Sequence, residues 1–499
     1  MGDSGALSSK SLDEPELKDI VALFHCTFHP TKGNIIDWSA NVLPDLDLNG
    51  VEFSCLPSGL HLMEEDVIHF TRQGYQGVCI FRRRKTSDEG MRGARLGALG
   101  LLVAKSPRPR PWRHLKNIRR LSNQLDDDYD DRECLRLYFE ECQVALTPSP
   151  TPWEGWASEL SKNPYHPILR LPQLLRLLGP SAMTFIKHVL GRKRVMIWTH
   201  PAAELSCLLA IVGVEICFGQ DDFIPTSAPT VLGMVGLSDM ERLKEETARG
   251  NGWIACTTDR LFMEKPSIYD LIIDLSTPSD LVTRPFFYIS RPRVSLASRN
   301  NHVLRAVRFS FSDLRISSEL DRILTAQPSD EYKIIPDLYE SCCLTLAWLG
   351  LRGCSFLGKG GIRMEGDDDL SSRVSVIHST EPAPELEMNQ SRSLGDPNSD
   401  EPTHRAAVDV ALALLSVIHR HVNFLNGRLS DLIDEKSPLV DCQLVIYPRD
   451  ISSFDLSPLS NLDSDFLRDF ARAKIQDEGV DVTLRRSWKD ILSMWFSWP

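Results

Sequence analysis

Two short apolar segments joined by a polar connection constrain the fold of this chain more than any other part of its sequence. Residues 253–256 are Trp-Ile-Ala-Cys, residues 257–260 are Thr-Thr-Asp-Arg, and a second apolar segment covers residues 269–275. Short apolar segments that end at polar turn residues are typical of strands buried on both faces. Another strand-like segment and an apolar helical segment at 204–218 precede them. Strands that alternate with helices predict an α/β domain with a largely parallel sheet at 165–330.

The first third of the chain has a different order of elements. Short apolar segments bounded by turn residues predict strands, and apolar residues at three-to-four spacing predict helices after them. The predicted strands lie at 20–28, 35–38, 66–70, 77–83 and 96–104, and the predicted helices lie at 112–125 and 133–143. Strands followed by helices predict an α+β module with an antiparallel sheet over residues 18–146.

Composition indicates the remaining boundaries. Residues 147–152 read Thr-Pro-Ser-Pro-Thr-Pro, a stiff sequence that predicts a linker at 147–164 before the central domain at 165–330. Residues 331–499 carry apolar residues at helical spacing, at 339–351, 406–423 and 466–477, so this part is predicted to be mainly helical. Within it, residues 366–403 are rich in Ser, Asp, Glu and Pro. Such a segment buries too little apolar surface to fold, which predicts a disordered insert.

The overall composition excludes several classes of protein. The net charge of −12 argues against a nucleic-acid-binding protein, which normally has a basic face. The twelve cysteines form no CxxC pair, so neither a zinc site nor a redox motif is predicted, and a reducing cytoplasmic location is expected. The polar N-terminus predicts no signal peptide. The apolar run at 205–218 is interrupted by Glu215 and is too short to span a bilayer, so no transmembrane segment is expected.

Three groups of segments resemble the DENN domain family. The first group reads Gly-Val-Glu-Phe at 50–53, Leu-Pro-Ser-Gly-Leu-His at 56–61, Asp-Val-Ile-His-Phe at 66–70 and Arg-Gly-Ala-Arg-Leu-Gly-Ala-Leu-Gly at 92–100. The second group combines residues 178–181 with residues 190–197. The third group is the segment at 253–275. The similarity is closest to the LCHN-like branch and its fungal relatives. It implies a longin-like upstream module, a central DENN domain and a downstream helical module.

The resemblance also implies a function. DENN proteins act on small GTPases of the Rab type, mostly as guanine nucleotide exchange factors in membrane trafficking, without covalent chemistry. By analogy, the GTPase contacts would involve Arg82, Arg83 and Arg84 at one strand end, and Thr257, Thr258, Asp259 and Arg260 at another. The alternatives for these residues are a solvated strand end and ordinary loop capping. The alternative functions are a non-catalytic GTPase-binding scaffold and a GTPase-activating protein that supplies an arginine finger.

Basic clusters allow a further expectation. Besides residues 82–85, basic residues cluster at Arg108, Arg110 and Arg113 and at 192–194. Such clusters are usually solvated, but each basic residue near an anionic membrane contributes about 1 kcal/mol of attraction. Peripheral contact with an anionic membrane surface, and thus a peripheral location on endomembranes, is therefore an open alternative.

No cofactor or metal site is expected. The acidic run at 126–131 consists of consecutive residues, whose carboxylates splay apart instead of converging on a cation. His419 and His421 lie two positions apart on a predicted helix and so face different sides. The Gly-Lys-Gly-Gly sequence at 358–361 lacks the GxxxxGK[ST] spacing that surrounds a phosphate.

The predicted organisation can be tested by limited proteolysis. The first cleavages are expected within residues 366–403, because a segment without a core is accessible to proteases. Residues 190–275 should stay intact at that stage, and mass spectrometry of the early fragments would locate the cuts. Early cleavage within 190–275 would contradict the assignment of a buried central sheet.

Overall fold

A computed structural model shows the architecture of most of the chain. The structure describes residues 18–86, 93–129, 131–144, 153–221, 223–276, 284–292, 302–326, 401–437, 443–475 and 480–485. Four predicted features therefore lie outside the described residues: the Pro-rich sequence at 147–152, a helix at 339–351, the glycine loop at 358–361 and residues 366–400 of the insert.

Thirteen strands and twelve α-helices are present in the described residues. The strands are β1 (Ile20–His29), β2 (Gly33–Asn41), β3 (Glu65–Arg72), β4 (Tyr75–Lys85), β5 (Ala94–Val103), β6 (Arg194–Trp198), β7 (Thr230–Met234), β8 (Trp253–Thr257), β9 (Leu271–Asp274), β10 (Phe286–Pro292), β11 (His302–Val307), β12 (Gln443–Ile446) and β13 (Asp481–Leu484). The helices are α1 (Val51–Cys55), α2 (Leu115–Asp127), α3 (Glu133–Cys142), α4 (Trp156–Lys162), α5 (Leu171–Leu178), α6 (Ala182–Leu190), α7 (Glu204–Phe218), α8 (Met240–Ala248), α9 (Asp313–Thr325), α10 (Glu401–Glu435), α11 (Pro448–Ser453) and α12 (Asn461–Ile475).

One sheet of eleven strands runs through the first two thirds of the protein. Its order is β11-β10-β9-β6-β8-β7-β3-β4-β5-β1-β2. Strands β1 to β5 pair antiparallel, as predicted for the N-terminal part. Strands β9, β6, β8 and β7 pair parallel, and the antiparallel strands β10 and β11 extend that side of the sheet. The predicted α/β fold with a largely parallel central sheet is confirmed.

The two halves of the sheet meet where β3 pairs antiparallel with β7. Phe70 is opposite Gly233, and the hydroxyl of Thr71 donates a hydrogen bond of 2.7 Å to the carbonyl of Val231. Gly233 has a φ of +66°, and a Cβ atom at this position would lie only 2.3 Å from the carbonyl oxygen of His69. A side chain would therefore collide with the backbone of the neighbouring strand.

The central strands are covered on both faces, as their sequence predicts. Trp253 and Ile273 have no exposed surface. Helix α7 lies against β3, β7 and β8, and twelve of its fifteen residues are buried. Because it is apolar on all sides, this helix has no solvent face and can only be a core element.

A buried ion cluster connects the C-terminal helices to the central part. The ammonium of Lys187 on α6 lies 2.6 Å from a carboxylate oxygen of Asp313 on α9 and 2.5 Å from one of Asp463 on α12. It also donates a hydrogen bond of 2.9 Å to Ser310. Burial disfavours the charged amine, but the two carboxylates outweigh this effect and raise the pKa of Lys187. The central helices and α12 therefore share one interior.

Helix α10 is long and apolar enough to cross a membrane by length and composition alone. Half of its most apolar stretch is buried inside the protein. The helix contacts α4, α5, α7 and α9, and its buried residues include Leu414, Ile418, Val422 and Leu425. Its apolar stripe thus packs against other helices of the chain.

The junction between the two halves of the sheet provides a test of the fold. Gly233→Ala should lower the free energy of unfolding by about 2–5 kcal/mol, because it adds both a left-handed backbone penalty and a clash. Gly33→Ala is the matched control, since Gly33 has a φ of +77° and nothing within 4 Å of the added Cβ. That control should cost only about 1–2 kcal/mol. If chemical denaturation shows the same loss of unfolding free energy for both variants, the close approach of β3 and β7 is not needed for stability.

Candidate functional site

The sheet brings both groups of predicted contact residues to the same edge. Parallel strands β6, β7, β8 and β9 end at one edge, where Thr257 closes β8. Strand β3 runs antiparallel to β7, so it starts at that edge, and Glu65 at its start is opposite Arg82 of β4. The end of β4 and the exit of β8 therefore lie on the same side of the molecule. We call this side the carboxyl edge.

Local backbone hydrogen bonds hold the exit of β8. The hydroxyl of Thr257 accepts a hydrogen bond of 3.1 Å from the backbone N–H of Asp259, and the Thr257 side chain is fully buried. The indole N–H of Trp198 donates to the carbonyl of Thr258 at 3.4 Å. These contacts give Thr257 the capping role that was the alternative to partner binding. Thr258 and Asp259 are half-buried, and Arg260 is exposed.

The surface around this exit combines charged and apolar side chains. Leu261 is 50% exposed, and Leu237, which follows β7, is 39% exposed. A Cβ atom on Gly236 would lie 3.7 Å from a carboxylate oxygen of Asp259, so the exits of β7 and β8 are adjacent. Burial raises the pKa of Asp274 at the end of β9, against the hydrogen bonds from Ser276 and the nearby positive charge of Arg260.

Arg82 has an internal role, which corrects part of the prediction for the end of β4. Its side chain is 8% exposed and lies 3.0 Å from Glu65, and it also pairs with Asp126 of α2. Arg84 pairs with the same Asp126 and is 45% exposed. Burial opposes the ionisation of Asp126, but hydrogen bonds from Arg84 and Arg82 outweigh it and lower the pKa of Asp126. Of the three arginines, Arg83, which is half-buried, and Arg84 remain accessible to a partner.

The basic cluster of Arg108, Arg110 and Arg113 also lies inside the protein. The guanidinium of Arg108 lies 3.4 Å from Glu215 of α7 and 3.8 Å from the ring centre of Trp153. Arg110 and Arg113 lie 3.2 Å and 3.1 Å from a carboxylate oxygen of Glu159. The sequence-based alternatives of lipid headgroups or an arginine finger therefore do not apply to this cluster.

Two residues of the third basic cluster are also paired internally. Lys193 lies 2.8 Å from Asp469, and Arg194 lies 2.7 Å from Asp270. Arg192 lines a pocket at the opposite edge of the sheet. Each of the three clusters thus contains basic side chains that pair with carboxylates of other elements.

A buried carboxylate at the carboxyl edge was not identified from the sequence. Asp66 of β3 is 5% exposed and accepts backbone hydrogen bonds of 2.6 Å from Ala203 and 3.2 Å from Glu204 at the start of α7. Burial raises its pKa to about 6, despite these hydrogen bonds. Burial, together with the charge of Asp66, also raises the pKa of Glu204 to about 7. The sequence signal for this buried carboxylate was an Asp within an apolar strand. Its hydrogen-bond donor, the backbone N–H of Ala203, lies 137 residues later in the chain.

The carboxyl edge combines charged and apolar side chains. Within the described part of the chain, no group of three or more His, Cys, Asp and Glu side chains is arranged to hold a metal ion. The edge carries positive charge at Arg83, Arg84 and Arg260, negative charge at Asp259, and exposed apolar side chains at Leu237 and Leu261. Such a mixture of apolar and charged groups suits a protein partner.

Comparisons with known proteins agree with this fold. Residues 23–282, just over half of the chain, match the family described as DENN domain-containing protein 11. The rat protein of that name (Rattus norvegicus) is 28% identical over 281 residues, which cover 53% of this chain and 59% of the rat protein. The Xenopus laevis protein of the same name is 28% identical over 277 residues, which cover 52% of this chain and 61% of that protein.

A fungal protein is similar over a longer stretch. "Uncharacterized protein ANR2" of Saccharomyces cerevisiae is 22% identical over 529 aligned positions, which cover 94% of this chain and 93% of the yeast protein. By contrast, this chain spans about 59% of the length of the rat relative. The matched region at 23–282 includes both groups of residues at the carboxyl edge.

The buried Asp66 predicts a specific pH dependence. Its pKa is about 6 in the folded protein against a usual 3.8, so the folded state holds the proton to higher pH than the unfolded state. As the pH rises from about 4 to 6, the free energy of unfolding should therefore fall, and this group should contribute up to about 3 kcal/mol of the loss. Asp66→Asn should remove that decline, so the variant gains stability relative to the natural protein as the pH rises. Denaturant titrations at both ends of this range measure the effect, with the exposed Asp127→Asn as control. A constant difference between Asp66→Asn and the natural protein would contradict this assignment.

Proposed function

This chain belongs to the DENN domain-containing protein 11 family, and on that premise we propose that it is a guanine nucleotide exchange factor for a Rab-type small GTPase. DENN domain proteins are in general trafficking proteins of this kind. We propose that the carboxyl edge of the eleven-stranded sheet is the surface that contacts the GTPase. The proposal includes a cytoplasmic location, with recruitment to endomembranes through the GTPase.

Exchange needs a binding surface and no nucleophile or metal. A small GTPase that holds its nucleotide at picomolar affinity is stabilised by about 16 kcal/mol. An exchange factor works by binding the nucleotide-free form much more tightly than the loaded form, since equal affinity for both shifts no equilibrium. The preference has to come from contacts with the switch loops, which change position when the nucleotide leaves.

The observation that carries the proposal is the common position of two separated groups of residues. Strands β4 and β8 are three strand spacings apart, about 14 Å, and the two groups are offset by roughly 10–17 Å along the strands. The groups are therefore roughly 15–25 Å apart. A standard protein interface buries about 800 Å² on each partner, which corresponds to a patch about 30 Å across. One GTPase can contact both groups at once.

The composition of the edge suggests how the contact forms. Leu237 and Leu261 are exposed apolar side chains that a partner would cover, and their burial would provide affinity. Arg83, Arg84 and Asp259 supply charged groups at the same edge. Charges at the rim of an interface mainly set the association rate and its salt dependence. Thr257 and Arg82 support the surface from inside and are not proposed as contacts.

Two alternatives use the same surface. A non-catalytic trafficking scaffold would bind a GTPase without preferring the empty form. A GTPase-activating protein would need an arginine that reaches the nucleotide, and of the arginines discussed at this edge Arg260 and Arg84 are the most exposed. The relative affinities for empty, GDP-bound and GTP-bound forms distinguish exchange from the scaffold role.

The exchange activity can be measured with a fluorescent GDP analogue. Purified protein is expected to accelerate release of the nucleotide from at least one member of a panel of Rab-type GTPases. Asp259→Arg and the double variant Arg83→Glu, Arg84→Glu should reduce the rate about tenfold or more at low salt, because charge reversal slows association. Arg82 stays unchanged in this design, because a carboxylate there would face Glu65 and Asp126.

A charge reversal on the opposite side of the molecule is the matched control. Arg472→Glu on α12 alters an exposed arginine that lies 3.2 Å from Asp481 and should leave exchange unchanged. Release from no member of the panel, or equal affinity for all three nucleotide states, would contradict exchange. Binding of only the GTP form would favour the scaffold, and faster GTP hydrolysis would favour the GTPase-activating alternative.

A further inference from the structure

A pocket lies at the edge of the sheet opposite to the carboxyl edge. It encloses about 320 Å³ and is open to solvent on one side. Arg192 precedes β6 and Ser227 precedes β7, so the pocket is at the amino ends of these parallel strands. Helices α10 and α12 supply the other walls through Asn426 and Lys474. Small-molecule sites in proteins begin at about 300 Å³.

The lining combines an apolar floor with polar walls. Leu190, Cys217, Phe218 and Phe470 form apolar surface from α6, α7 and α12. Polar groups from Gln220, Ser227, Asn423 and Asn426 stand around this floor. An apolar base with a few polar groups is the usual composition of sites for small organic ligands.

The charges of the pocket favour an anion. Among the described residues of the lining, Arg192 and Lys474 are cationic and Asp221 is the carboxylate, so positive side chains outnumber negative ones there. Arginine and lysine bind carboxylate and phosphate groups through charge-assisted hydrogen bonds. Side-chain amides such as those of Asn423 and Asn426 donate further hydrogen bonds to oxyanions.

One wall of the pocket is held from inside by a buried arginine. Arg108 donates hydrogen bonds of 2.9 Å to the carbonyl of Gly219 and 3.0 Å to that of Asp221. Its guanidinium is packed against Trp153 and lies near Glu215, as described above. The turn at 219–221 is thus fixed without a ligand, and a preformed wall lowers the entropic cost of binding.

We propose that this pocket binds a small organic anion, with the apolar body on the floor and the carboxylate or phosphate group between Arg192 and Lys474. The parallel strands are about five residues long, so the pocket is roughly 17 Å or more from the carboxyl edge. The pocket therefore shares no residue with the contacts proposed at that edge.

Isothermal titration calorimetry with three small probes tests the proposal. Phenyl phosphate and benzoate carry the two candidate oxyanions on an apolar ring, and benzyl alcohol is their neutral counterpart. At least one anionic probe should bind saturably, and about tenfold more tightly than benzyl alcohol, a difference typical of one charge-assisted hydrogen bond. The stronger of the two anionic probes identifies the phosphate or carboxylate class.

Variants of the full chain locate the binding. Lys474→Gln and Arg192→Asn should each weaken binding of the anionic probe by about tenfold. Asn replaces Arg192 because the backbone there has a φ of +51°, which Asn tolerates. Ala473→Trp should fill the pocket and abolish binding. Arg472→Gln, which removes a charge from the same helix but is not part of the pocket lining, should bind as the natural protein does.

Three results would overturn the proposal. They are the absence of saturable binding by both anionic probes, equal binding of the neutral probe, and unchanged binding in Lys474→Gln. Circular dichroism establishes that each variant is folded before titration. The exchange assay uses other residues and another readout. A failure of the anion-binding experiments therefore does not contradict nucleotide exchange, and a failure of the exchange assay does not contradict anion binding.

Discussion

The close approach of β3 and β7 at Gly233 determines the architecture of the first two thirds of the protein. Without it, an antiparallel sheet and a largely parallel sheet would be separate bodies with separate edges. With it, the strand directions are fixed relative to each other, and the end of β4 must lie at the edge where β8 ends. Asp66 of β3 adds a further connection beside the junction, because its carboxyl group accepts hydrogen bonds from the backbone at the start of α7. Every spatial relation at the carboxyl edge follows from this junction.

Buried charges connect the elements that the sheet does not. Lys187 with Asp313 and Asp463 joins helices that are distant in sequence, and Arg108 with Glu215 joins the connection after β5 to α7. Such groups contribute little net stability relative to apolar residues of the same volume, but losing one partner costs about 3–5 kcal/mol. They therefore act chiefly as constraints on which helices pack together. The shared interior of the central helices and α12 is specified in this way.

The sequence predicts the fold better than it predicts the contact surface. The short apolar segments at 253–256 and 269–275 were sufficient to predict the central sheet, because a strand buried on both faces is apolar at nearly every position. Arg82 and Arg108 looked exposed because nothing in their local sequence shows what lies across from them. Their partners, Asp126 and Glu215, are 44 and 107 residues away and are brought close only by tertiary packing. The strand that ends at Thr257 was predicted, but the burial of Thr257 depends on contacts that the sequence pattern does not contain.

The ion cluster of Lys187 has a consequence for how the protein is made. Asp463 follows Lys187 by 276 residues. At a synthesis rate of about 5–20 residues per second, the carboxylate leaves the ribosome roughly 15–55 s after the lysine. During that time α6 cannot occupy its final environment, because its ammonium would be buried with an incomplete set of partners. The packing around α6 is therefore complete only after α12 has been synthesised.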